Sequence, residues 1–224
     1  MVDIKFDSVI SEKASGLKVV AVAADVENVP TSDALWSDIE SASAALREAV
    51  GEMAGINLRP SIAATRSAYK ACGKDPNRYR PSAEALCRRV MKQMPLYRTL
   101  AVIDIINCVS IATGYSIGGF DANKIVGPTL TLGVGREGEP YEAIGRGVLN
   151  IAGLPVYRDE VGGIGTPTSD HERTKLSEST RRVLIIVNAY DGDQQSADAA
   201  AEMLVEMLRR YADGNNVEIK RFHP

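Results

Sequence analysis

The stretch Thr99-Leu-Ala-Val-Ile-Asp-Ile-Ile-Asn-Cys-Val-Ser-Ile-Ala-Thr113 is apolar on nearly every side. A helix that is hydrophobic all round belongs in an interior, so this segment is expected to be central and buried, with the fold built around it. Its polar exceptions are Asp104, Asn107 and Ser110, three positions apart, which places them on neighbouring turns of one side. A buried polar group left without a partner costs on the order of 1–3 kcal/mol. These side chains therefore either meet internal partners or line a wet pocket.

Towards the N-terminus lie three amphipathic segments. Leu35, Ile39, Ala42, Leu46 and Ala49 recur at spacings of four and three after Ser32, which predicts a helix ending near Gly51. A second helix runs from about Ser61 to Cys72 and stops at Gly73, a residue able to take the left-handed cap. A third opens on Arg80-Pro81-Ser82, where proline is tolerated because its missing N–H has no helical partner. Ala83, Leu86, Cys87, Val90 and Met91 form its apolar face and leave Arg88, Arg89 and Lys92 on the other. Strands are expected before these helices, at Ile4 to Ile10 and Lys18 to Asp25.

After Gly114 the texture turns β-branched and glycine-punctuated, with strands expected over Ile125 to Val134, Tyr141 to Ile151, Leu154 to Arg158 and Arg182 to Tyr190. Val183 to Val187 is a continuous apolar run, the pattern of a strand covered on both faces. A helix from Ser196 to Tyr211 and a short strand from Val217 to Phe222 close the chain. Helices, then strands, then one helix indicate an α+β fold rather than alternating βαβ winding, in one domain over residues 1–224.

Composition narrows the function. A mixture of 45% hydrophobic and 25% charged residues is that of an ordinary globular chain. No run approaches the roughly 20 apolar residues of a bilayer span, and the opening MVDIKFD does not read as a signal peptide; a cytoplasmic location follows. Cys72, Cys87 and Cys108 form no CxxC pair and the only histidines are His171 and His223, so neither metal nor cofactor is expected. A net charge of -3 excludes nucleic-acid binding by overall basicity, and no DNA or membrane partner is expected. One local basic cluster remains: Arg59, Arg66, Lys70, Lys74, Arg78, Arg80, Arg88, Arg89 and Lys92, opposed within its span only by Asp75 and Glu84. It reads either as a solvated helix face or as a phosphate-binding surface, with Tyr69 and Tyr79 available to stack on an unpaired base.

Among short motifs, Gly133-Val-Gly135-Arg-Glu-Gly138 matches a dinucleotide fingerprint in letters only. That role requires the glycines to open a helix, whereas Glu139-Pro140 and strand texture follow; the glycines are expected to form a hairpin turn. His171, between Asp170 and Glu172, lies in a segment from Thr166 to Thr174 rich in turn formers, two carboxylates and Arg173. That segment is compatible with a capped surface turn or with a binding loop.

Several segments, in order, resemble free-standing relatives of the editing module of the phenylalanyl-tRNA synthetase beta subunit. They are Arg66-Ser-Ala-Tyr69-Lys70 through Asp75-Pro76-Asn-Arg78-Tyr79-Arg80-Pro81 to Leu86, Val102 to Ser110, Gly119-Phe120-Asp121 with Lys124-Ile125, Gly138-Glu139, and Asp170-His-Glu-Arg-Thr174 through Thr180. The resemblance covers about residues 59 to 190. It implies helices packed on mostly antiparallel sheets in three layers, and a role in hydrolysing the ester between a wrong amino acid, tyrosine, and the tRNA for phenylalanine. The residues in matching motifs are Asn107, Asp121 and Glu172 for catalysis, the last aligned with a glutamate that recognises the tyrosine hydroxyl. Arg66, Tyr69, Lys70, Arg80, Arg88, Arg89, Ser110, Glu139, Asp170 and Arg173 are the implied substrate and RNA contacts. One departure stands out: where the synthetase carries a pocket histidine shortly before the aspartate, Ser116-Ile-Gly118-Gly119-Phe120-Asp121 has glycine. The implied partner is tRNA or aminoacyl-tRNA; a small amino-acid-like ligand held without catalysis is the alternative.

Overall fold

A computed structural model describes residues 1–224. In chain order the elements are β1 (Asp3–Phe6), α1 (Ser8–Lys13), β2 (Lys18–Asp25), α2 (Asp33–Val50), α3 (Pro60–Ala71), α4 (Ser82–Met91), α5 (Ala101–Thr113), β3 (Ile117–Asp121) and β4 (Thr129–Val134). There follow β5 (Glu142–Ala143), β6 (Gly147–Val148), β7 (Pro155–Arg158), β8 (Gly163–Gly165), β9 (Arg182–Ala189), α6 (Gln194–Tyr211) and β10 (Asn215–Phe222).

The centre is an antiparallel sheet in the order β10-β2-β9-β3. Strands β2 and β9 are buried along nearly their whole length, and the alternation of side chains explains why both of their faces are apolar. Val20, Val22, Ala24, Val183, Ile185 and Val187 point to a core shared with α5 and α6. Val19, Ala21, Leu184 and Ile186 point the other way, onto Leu130, Leu132 and Tyr157 of a second sheet ordered β1-β4-β7-β8. Only β1 and β4 pair in parallel. The result is three layers, helices on sheet on sheet, an α+β arrangement with mostly antiparallel pairing.

Helix α5 is the interior helix that its composition demands, in contact with α2, α4, α6 and β3. Its ends are tied to the N-terminal half of the chain. Asn28 accepts from Val102 N through Oδ1 (3.1 Å) and donates to Ser177 O (2.9 Å). At the other end Arg59 donates to Ile111 O (2.9 Å) and Ala112 O (2.6 Å), and Ser61 to Thr113 O (2.8 Å). These contacts satisfy carbonyls that a helix C-terminus leaves free.

Four expectations from sequence are corrected. The first strand stops at Phe6 because Asp7 caps a short helix, accepting from Ile10 N at 2.8 Å. Residues 125–128 lie outside β4, since Gly127 has a positive φ (90°) and Pro128 follows. The region from Tyr141 to Ile151 forms only two-residue strands, broken by Gly145 and Gly147, both at positive φ. Conversely Ile117–Asp121, outside every strand expected from the sequence, is a strand on β9. The Gly133–Gly138 motif does make a turn leaving β4, with no helix after it.

Candidate functional site

The polar edge of α5 divides between two environments. Asp104 turns inward: its carboxylate accepts from Thr31 Oγ1 (2.5 Å), Thr99 N (2.8 Å) and Thr99 Oγ1 (2.9 Å), so it fixes the start of the helix. Asn107 and Ser110, one and two turns on, have no partner for their side chains within the protein and line a cleft of about 740 Å³. Such a volume is typical of small-ligand sites.

The cleft opens between α4, α5, β3 and the loop that follows β8. Ile103, Ile106, Ile117, Leu86 and Leu176 make it apolar, while Arg80, Arg88, Arg89, Lys92, Arg146 and Lys175 make its margins cationic. Met94 and the exposed ring of Tyr97 also reach it. Asp170 is its one acidic side chain. The Asp170 Oδ2 accepts from Gly119 N at 3.1 Å, and Oδ1 has no partner. Burial without a compensating cation pushes the carboxyl up to about 7, against which the single backbone N–H is a weak counterweight.

Glycines make room for this carboxylate. A Cβ at Gly165 would lie 2.9 Å from Asp170 Oδ1 and 2.5 Å from the Phe120 ring; one at Gly119 would lie 2.4 Å from Ile106 Cδ1. No histidine lines the cleft, and a side chain at Gly119 would enter space that Ile106 already fills.

The margin of the cleft is organised by a buried anion. Glu84 is inaccessible to solvent and receives Arg66 Nη1 (2.8 Å), Arg88 Nε (2.8 Å) and Arg80 Nε (3.3 Å). Three guanidiniums on one carboxylate leave an excess of positive charge. Arg88 and Arg80 carry it to the cleft, whereas Arg66 is spent on Glu84, Asn77 Oδ1 (2.7 Å) and Pro76 O (3.3 Å). Arg89 donates to Pro95 O (2.6 Å) and lies over the Tyr97 ring, 4.6 Å from its centroid.

Of the sequence candidates, then, Asn107, Ser110, Asp170, Arg80, Arg88 and Arg89 come together around one cavity. The others lie elsewhere and have identifiable structural work. Asp121 is buried beneath the loop, accepting from Thr180 Oγ1 (2.9 Å) and Asn123 N (3.1 Å), with Lys124 Nζ at 3.4 Å. Glu172 pairs with Lys175 and accepts from Gly145 N (3.3 Å), and Lys175 above all holds its carboxyl below the ordinary glutamate range. Arg173 grips Asp159 with both Nη atoms (2.9 and 2.8 Å), and Arg158 grips Glu139 through Nε and Nη2 (2.6 and 2.7 Å). Tyr69 is completely buried, its hydroxyl 2.9 Å from Thr168 Oγ1; it offers no ring face to a base. Tyr79 is covered by Lys74, 3.6 Å above its centroid. Lys70 is exposed on α3, outside the cleft. His171 is half-buried rather than loose on a loop, edge-on to Tyr141 at 4.9 Å and accepting Arg173 N at Nδ1 (3.0 Å).

Tyr97, Arg146 and Lys175 escape the reading of the sequence. Arg146 carried one usable signal, its place between Gly145 and Gly147 in a turn; Tyr97, in the Pro95–Arg98 connection, carried none.

The fold and cleft define a class: a three-layer α+β module with a preformed, cation-rimmed pocket between helix and loop. The particular family follows from sequence. The model of the B3/4 domain matches residues 64–213, about two thirds of the chain, and the chain belongs to that family. It is 34% identical over 111 residues to the phenylalanine–tRNA ligase beta subunit of Bartonella henselae, an alignment covering 49% of this chain and 14% of that subunit. Among solved structures, an N-terminal fragment of the phenylalanyl-tRNA synthetase beta subunit from Pyrococcus horikoshii aligns with 97% of this chain and 50% of its own, at TM-score 0.47 and 15% identity.

Proposed function

We propose that the cleft receives the aminoacylated 3′ end of a tRNA and that the protein hydrolyses the ester of a mischarged amino acid in trans. The observation that carries this reading is the division of one cavity into an apolar interior and a cationic margin. An amino acid side chain suits Ile103, Ile106 and Ile117; the phosphates of the acceptor strand suit Arg80, Arg88 and Lys92; the exposed Tyr97 ring suits a terminal base. Membership of the B3/4 family and likeness to a synthetase beta subunit make aminoacyl-tRNA the natural member of that chemical class. Asn107 and Ser110, with free hydrogen-bonding groups, are placed to hold the ester or the amino acid polar atoms.

The direct test is deacylation of tRNA for phenylalanine carrying tyrosine, beside the same tRNA correctly charged. Faster loss of the tyrosyl ester is expected; equal, background rates on every aminoacyl-tRNA would remove the reading.

A second reading has one observation in its favour. The cleft lacks the histidine that the synthetase resemblance implies, and Ile106 occupies the space beside Gly119, as suits a module that binds an amino-acid-like molecule without acting on it. Thermal shift distinguishes the two, because a ligand that binds only the folded state raises Tm: a shift with free amino acids and no hydrolysis favours this alternative.

A further inference from the structure

Water attack on an ester needs a group that accepts the water proton at the moment of attack. Three carboxylates of the family-like segments, Asp121, Asp170 and Glu172, are candidates, and the structure separates them. Asp121 and Glu172 are committed to Thr180, Asn123 and Lys124, and to Lys175 and Gly145, and neither lines the cleft. Asp170 lines it, is anchored through Oδ2 alone, and leaves Oδ1 free.

We propose that Asp170 is the general base of this cleft, its Oδ1 drawing a proton from a water that attacks the carbonyl carbon of an aminoacyl ester. The inference rests on the hydrolytic reading above and supplies the catalytic group that reading lacks. In the forward step the water oxygen bonds to the carbonyl carbon, its proton passes to Asp170, and the carbonyl electron pair moves onto oxygen. Collapse of that tetrahedral species breaks the bond to the ribose oxygen, which takes the proton back from Asp170 as it leaves. Amino acid and free 3′ hydroxyl result, and the carboxylate is restored.

The surroundings fit the role. From β3, Gly118 and Gly119 present backbone only, and from β8 Gly165 does the same, so nothing crowds Oδ1 on those sides. From α5 come Asn107 and Ser110, uncharged and unpartnered. The Tyr141 hydroxyl is turned to Ser169 O (2.8 Å), and His171 Nδ1 is occupied by Arg173 N. The charged groups are Arg146, whose turn is fixed to Asp170 through Ile144 N to Asp170 O (3.0 Å), and Lys175. Neither pairs with the carboxylate, which keeps it basic; Lys175 is engaged by Glu172, so Arg146 is the cation available to a developing oxyanion. A carboxyl held near neutrality is the form that serves a general base at physiological pH.

The experiment is single-turnover deacylation of a mischarged aminoacyl-tRNA from pH 5.5 to 8.5, with spontaneous hydrolysis subtracted, by the wild type, Asp170→Asn and Asp170→Glu. Wild-type rates are expected to rise about tenfold per pH unit below 7 and level above it. Asp170→Asn, which keeps the Gly119 acceptor, is expected to lose about 10²–10⁴-fold in rate while the Kd for a non-hydrolysable amide analogue moves less than about threefold; Asp170→Glu recovers part of the rate. An active wild type with Asp170→Asn within threefold of it, or with a flat pH profile, overturns the role of Asp170 and leaves the hydrolytic reading intact. A wild type inactive on every aminoacyl-tRNA overturns both.

Discussion

A carboxyl group drawn partly out of water and paired with no cation is costly to ionise, and Asp170, half-buried in the wall of the cleft, is in that position. Its proton is held up to about 7 in the fold against an ordinary value of 3.8. Between those values the folded state binds a proton that the unfolded chain has released, so Asp170 costs stability increasingly as pH rises through that window and fully above it. Asp170→Asn removes the cost. Urea denaturation is expected to show the variant about 2–4 kcal/mol more stable than wild type at pH 8 and equal to it near pH 4; a constant difference across that range would mean the carboxyl is not desolvated. Gly119 sets the floor of the same site. In Gly119→Ala the new methyl meets the far end of Ile106, a flexible group that moves into the cleft. A loss of about 1 kcal/mol in stability is expected, with a several-fold weaker Kd for an aminoacyl analogue by calorimetry; unchanged binding would place the ligand away from β3.

The helices divide the labour. On α5 the sequence already showed burial and a polar edge, because an apolar pattern on every face has few other solutions. It left open which polar residue meets a partner, since Thr31 and Thr99, the partners of Asp104, belong to connections whose course no periodicity records. On α4 the run of basic residues could be read as a solvated face or a phosphate site. What decides its geometry is Glu84, one acid among many in the sequence and the hub of three guanidiniums in the fold. Removing one side of a buried ion cluster leaves uncompensated charge. Glu84→Gln is therefore expected to lower stability by about 3 kcal/mol in chemical denaturation and to weaken phosphate-bearing ligands despite adding net positive charge. Stability equal to wild type would show the cluster to be ornamental. Strand β3 was hidden by Gly118 and Gly119, residues that weaken strand propensity and are present because Ile106 and Phe120 leave no room for side chains.

Taken together, the chain is acidic with a cationic cavity, a net charge of -3 around six basic side chains at one opening. On the proposed reading, binding of tRNA is local and salt-dependent. Each of Lys92→Ala and Arg146→Ala, both exposed, is expected to reduce the slope of log Kd against log salt by somewhat under one; slopes identical to wild type would put the phosphates elsewhere. The α+β class could be read from the order of helices and strands, and cover on both faces from the unbroken apolar run of β9; the three layers came from the family resemblance. The cleft could be read only in part. Asn107, Ser110 and Asp170 stood in recognisable segments, but Asp121 and Glu172 stood there too, and only the hydrogen bonds that Thr180 and Lys175 make separate structural carboxylates from a free one. Heteronuclear NMR titration of the 24.1 kDa protein with a non-hydrolysable 3′-aminoacyl-adenosine amide tests the site directly. Saturable shifts confined to the amides and side chains of Asn107, Ser110, Gly119, Asp170 and the α4 arginines are the expected result, and shifts centred elsewhere, or none at millimolar ligand, would contradict it.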